Sequence, residues 1–107
     1  MSDDKKPAKP LKDTEIVVTV VPKDDNNLEH EEAAERIERK LEENIEKALE
    51  DNKPGGKEKQ FEAVESEIKK AKESAAPQQI EVIDVEVNGT NEDGDREGWA
   101  RSVTPKE

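Results

Sequence analysis

The chain has no cysteine and no tyrosine, and its 107 residues hold one histidine, one tryptophan, one phenylalanine and one methionine. Without cysteine there is no disulfide, no thiolate nucleophile and no Cys-ligated metal, and the redox compartment is unreadable. The lone His30, beside Glu31 and Glu35, falls short of the three or four converging ligands that a metal centre needs. It reads as a surface side chain in a first helical turn. No nucleophile has a base partner, and no serine sits at a strand-to-helix elbow. Carboxylate pairs such as Glu38 with Glu42, or Glu42 with Glu46, lie on a solvated helix flank with nothing apolar to shift a pKa. The expectation is a protein that is not an enzyme and carries no cofactor or metal.

Long hydrophobic runs are missing as well. No stretch approaches the roughly 20 apolar residues of a membrane span. The opening "MSDDKKPAKPLKDT" lacks the apolar run of a secretion signal. A cytoplasmic protein with no membrane partner is expected. Clustered cations are the next absence. The 14 lysines are interleaved with glutamates and the formal net charge is −11. Direct binding to a nucleic-acid backbone needs gathered Lys and Arg, so it is not expected.

Leu, Ile, Val and Phe together supply only 20 of 107 residues, while 44% are charged. That places the chain near the boundary between folded and disordered sequences. Eighteen of those 20 lie between residues 15 and 87, however. A small core fits there, marginal enough that association would support it.

Residues 1–14 read as a disordered N-terminal tail, with Pro7 and Pro10 among lysines. "EIVVTVV", residues 15–21, is almost wholly β-branched and predicts a strand ended by Pro22. Ile16, Val18 and Val20 share one face, and Val17, Thr19 and Val21 the other. Both faces are apolar, so both call for cover. Asn26 or Asn27 caps a helix running to about Asp51, with Glu29, Glu31 and Glu32 at its positive end. Ala34, Ile37, Leu41, Ile45, Ala48 and Leu49 form its apolar stripe. Glu32–Arg36, Glu35–Arg39 and Glu43–Lys47 are spaced as flanking ion pairs.

"DNKPGG" breaks the chain at 51–56. A second helix over about 57–76 carries Phe61, Val64, Ile68, Ala71 and Ala75 at coiled-coil spacing, and Pro77 ends it. The short turn makes packing against the first helix the simplest arrangement. "QIEVIDVEV", residues 79–87, predicts a second strand whose alternation slips. Either a bulge near Val82 realigns it or both faces are partly covered. Two helices that leave the end of one strand and return to it put the strands antiparallel. The predicted fold is α+β, β-α-α-β(-β), with a core domain over 15–87 and a small antiparallel sheet packed on a helical hairpin.

Residues 88–107 read as an acidic loop, a possible third strand over about 98–104 and a disordered C-terminal end. "GWARSVT" alternates as a strand would, which would let Trp99 cap the sheet. The other reading is a free tail with Trp99 as an exposed anchor. "NEDGDREGWARS" has Asn91, Asp93 and Asp95 at calcium-loop positions, but Arg96 and Ser102 stand where Gly and Glu are required. "NGT" at 88–90 matches the glycosylation triplet and reads as a turn.

Charge is unevenly distributed. Residues 25–51 hold 11 acids and four bases, whereas residues 57–76 hold five of each. Two functional readings follow. The first is a non-catalytic protein–protein interaction or assembly module, self-associating through an open sheet edge or an uncovered face. Val17, Val21 and Trp99 would carry it. The second is a DNA-mimic inhibitor in which Glu35, Glu38, Glu42 and Glu46 imitate a phosphate backbone and occupy a partner protein's basic groove.

Overall fold

The computed structural model describes residues 9–24 and 26–105. The β-branched run lies in an eleven-residue strand, β1 (Lys12–Pro22). It is followed by helix α1 (Leu28–Asp51), a 3-10 turn at Lys53–Gly55 and helix α2 (Gly56–Ala75). A second 3-10 turn at Ala76–Gln78 leads into β2 (Ile80–Thr90), and β3 (Arg96–Val103) completes the chain order. The strands form one sheet in the order β1-β2-β3, antiparallel throughout. The helices pair with each other, and α1 lies on β1. The result is the expected α+β arrangement, a helical hairpin covering one face of a small sheet.

Local chemistry sets each boundary. Asn27, rather than Asn26, caps α1: its Oδ1 accepts from the backbone N–H of Glu29 at 2.9 Å and of His30 at 3.3 Å. Asn52 closes the other end, donating from Nδ2 to the Ala48 carbonyl at 2.8 Å. Alternate residues then fill the core. Val18 and Val20 meet Ile83, Val85 and Val87 on the sheet side, and Leu41, Ile45, Leu49, Val64 and Ile68 close over them from the helices.

The slip in β2 is a bulge. Val21 pairs with Val82 but Pro22 pairs with Ile80, so Glu81 is the extra residue. Skipping it returns Ile80 to the face of Ile83, and both side chains are buried. A second irregularity falls between the Lys12–Thr90 and Glu15–Asn88 pairs, where Asp13 takes a left-handed φ of 48°.

The structure departs from the expected tail, acidic loop, C-terminal end and flanking ion pairs. The segment read as a tail through residue 14 is ordered over its described part. β1 begins at Lys12, and Leu11 is fully buried. Leu11 fits because Gly89 lies beneath it; a Cβ on Gly89 would come within 2.8 Å of the Leu11 Cβ. Residues 1–8, Asp25 and residues 106–107 lie outside the described residues. The free-tail reading of Trp99 gives way to the third strand, and the acidic loop expected to begin at residue 88 contracts to residues 91–95. Gly94, at φ 87°, turns that loop, its N–H donating to the Asn91 carbonyl at 3.0 Å. Pro105 is buried, so the C-terminal end is ordered at least that far. Among the described residues, the flanking pairs expected at 32/36, 35/39 and 43/47 are not closed to ion-pair distance. Solvated side chains on an exposed helix face gain little by meeting.

Candidate functional site

Among the described residues, no helix covers the second face of the sheet. Its side chains follow from the register. Val17, Glu86 and Ala100 stand in one row, and Thr19, Asp84 and Ser102 in the next. Val21 and Val82 form a third row, where the sheet narrows to two strands. Val17 is 51% exposed, which for a β-branched side chain in mid-strand is an unfilled contact. Val21 and Val82 are half-buried. Of the residues expected to mediate assembly, Val17 and Val21 therefore share this face.

Trp99 does not join them. It pairs with Val87 across the ladder and turns toward the helices, where its ring stacks on Phe61 at a centroid distance of 5.8 Å and an interplanar angle of 10°. It is one rung of a ladder between β3 and α2. Lys57 Nζ donates to Glu97 Oε1 at 2.7 Å and to Oε2 at 3.0 Å, and Arg101 Nη2 donates to Glu65 Oε2 at 2.5 Å. Residues 57, 61 and 65 on the helix thus answer 97, 99 and 101 on the strand, at one helical turn per two strand residues. Hydrogen bonds from Lys57 and then Asn91 hold the Glu97 carboxyl below its usual range, and the Glu97 carboxylate raises the Lys57 ammonium above its own.

The hairpin loop spends its polar groups on itself. Asn91 Oδ1 accepts from the N–H of Asp93 at 2.9 Å and of Asp95 at 3.0 Å, while its Nδ2 donates to Glu97 Oε2 at 2.8 Å. Among the described residues no group of three or more His, Asp or Glu side chains is placed to hold a metal ion.

The four acidic residues of α1 separate into two kinds. Glu35, Glu42 and Glu46 are exposed, and among the described residues they enter no ion pair or hydrogen bond. Glu38 is half-buried, and its Oε1 accepts from the Val20 N–H at 3.2 Å. It covers part of the β1 edge and is not an equal member of a solvent-facing row.

No protein family, curated protein or solved structure matches this chain. Its surfaces must be read from their own chemistry.

Sequence patterning overlooked one polar residue that organises this end of the molecule. Gln60 is fully buried; its Oε1 accepts from the Leu11 N–H at 3.0 Å, and its Nε2 donates to the Leu49 carbonyl at 2.9 Å. The only signal available was a polar residue directly before Phe61, bordering the apolar stripe. No helix among the described residues is long and apolar enough to cross a membrane.

Proposed function

We propose that this chain is a non-catalytic protein-interaction and assembly module that self-associates through the open face of its sheet. The observation that carries the reading is that exposed Val17 and half-buried Val21 and Val82 stand on a sheet face that no helix among the described residues covers. A core drawn from so few aliphatic residues is small, and burying a second sheet face adds to it without lengthening the chain. Sedimentation of the whole chain at low micromolar concentration tests it. A dimer or higher oligomer is expected, and Val17→Glu returns it to monomer. A monomeric native chain removes the proposal.

A second reading rests on Glu35, Glu42 and Glu46, whose carboxylates are exposed and uncommitted. Along the helix axis Glu42 lies about 10 Å from Glu35 and about 6 Å from Glu46, so the three could face the basic groove of a nucleic-acid-binding protein. The test uses a basic DNA-binding protein as probe. Affinity should fall steeply with added salt and fall again in the Glu35→Gln/Glu42→Gln/Glu46→Gln variant. Equal affinity for the native and triple-variant chains excludes this use of α1.

A further inference from the structure

We propose that the free edge of β3, with the cleft between it and α2, is a strand-addition groove for an extended peptide of a partner protein in which an apolar and an acidic residue alternate. The proposal rests on the reading of the chain as an interaction module and gives that module a ligand class.

The direction of the backbone groups follows from one hydrogen bond. Val20 donates its N–H away from the sheet to Glu38, so its backbone groups do not face its partner Ile83. In an antiparallel sheet these directions alternate residue by residue. Ile83 therefore bonds to Val103 on its other side. One residue further on, Ser102 faces outward, as do Ala100 and Gly98. All three are exposed. Their small side chains leave the N–H and C=O groups unscreened.

The two edges of the sheet are treated differently. Natural edges are blunted by bulges, Lys, Pro or a covering group. β1 has a bulge at Asp13–Thr14, the Glu38 carboxylate on Val20 and a terminal Pro22. β3 holds one unbroken register with β2 from Arg96 to Val103 and contains neither Lys nor Pro. Its two arginines are engaged elsewhere, Arg96 with Glu15 and Arg101 with Glu65.

Beside this edge lies an open cleft of about 470 Å³ between α2 and β3. Ile68 and Val103 supply its apolar floor, and Lys69 and Lys72 stand on its rim. Arg101 is neutralised by Glu65, and Glu62 by Lys59. Among the described residues Lys69 and Lys72 have no ion pair, so a chain of net charge −11 keeps uncompensated positive charge here. A strand added to β3 sends every second side chain into the cleft. The complementary pattern is an apolar residue over Ile68 and Val103 and, two positions along, a carboxylate at Lys69 and Lys72.

The test is titration of the ¹⁵N-labelled full chain with acetyl-Thr-Val-Thr-Glu-Thr-Val-Thr-amide, whose pattern is the same in either strand direction. The expected result is a shift of the Gly98, Ala100 and Ser102 amides. Affinity should weaken roughly tenfold in Lys69→Glu/Lys72→Glu. Ala100→Pro removes one outward N–H that the sheet does not use, and peptide binding should be lost. If that variant fails to fold, peptide N-methylated at every residue blocks the same bonds in either strand direction on the native chain, with loss of binding expected. Unmoved amides up to millimolar peptide, or undiminished binding after either backbone block, overturns the proposal. So does equal affinity for the peptide with Lys in place of Glu. Sedimentation of the native chain reads the open sheet face separately, so failure of the groove and failure of self-association are told apart.

Discussion

Gln60 shows how much one buried amide can organise. The last carbonyls of a helix have no intrahelical donor, and the start of an edge strand has N–H groups with no ladder partner. Gln60 meets one of each, Leu49 and Leu11, from a third element, so the N-terminal end of β1 is tied to both helices. Gln60→Leu keeps the volume but leaves that donor and acceptor buried without partners. It should lower unfolding free energy by about 2–4 kcal/mol, read from urea denaturation. A loss within error of zero would mean that water replaces both bonds. This centre was not legible in advance, because periodicity registers apolar side chains and Gln60 is polar. Leu11 was hidden for a related reason. It stands alone between Pro10 and Lys12, and only the bulge at Asp13 and the bare surface of Gly89 make room for it.

The elements themselves were largely written in the chain. β-branching marked β1, Asn26 or Asn27 and the DNKPGG break marked the ends of α1, and the spacing from Phe61 to Ala75 marked the inward face of α2. β3 was less legible, because its support is tertiary: it is held to α2 by the ladder of Lys57–Glu97, Phe61–Trp99 and Arg101–Glu65. The central rung predicts a coupling. A double-mutant cycle with Phe61→Ala and Trp99→Ala should give an interaction energy of about 0.5–1.5 kcal/mol, and Trp99 emission in the native chain should be blue-shifted and protected from quencher. Red, freely quenched emission would mean that β3 is detached in solution. The first rung predicts a pH window. The folded Glu97 pKa lies below its ordinary 4.5, so its contribution is present above that value and lost as pH falls through the folded pKa. The folded Lys57 pKa lies above 10.5, so its contribution is complete below that value and lost as pH rises through the folded pKa. The denaturation midpoints of the native chain and Glu97→Gln should therefore differ at about pH 7 and converge as pH falls through the lowered Glu97 pKa. A constant difference would place the effect of the substitution outside the ion pair.

At the scale of the whole molecule, the two proposed functions, one on the open sheet face and one on α1, respond to salt with opposite sign. The open sheet face pairs a valine patch with Glu86 and Asp84 on a chain of net charge −11. Two copies meeting there gain from burying Val17, Val21 and Val82 and lose from bringing like charges together. Screening reduces the loss and leaves the gain almost untouched. Self-association should therefore strengthen as salt rises from about 0.01 M to about 0.5 M, with the Debye length falling from roughly 30 Å to below 8 Å. Docking of Glu35, Glu42 and Glu46 into a basic groove depends on attraction between unlike charges, so the same change should weaken it. Sedimentation of the native chain across that range, beside Val17→Glu, measures the first response. Tighter association with salt in the native chain, and none in the variant, is the outcome that the valine patch requires. Association that dissolves as salt is added would transfer the contact to charged surfaces, with the Lys69–Lys72 rim of one copy and the acidic face of α1 in another as the complementary pair.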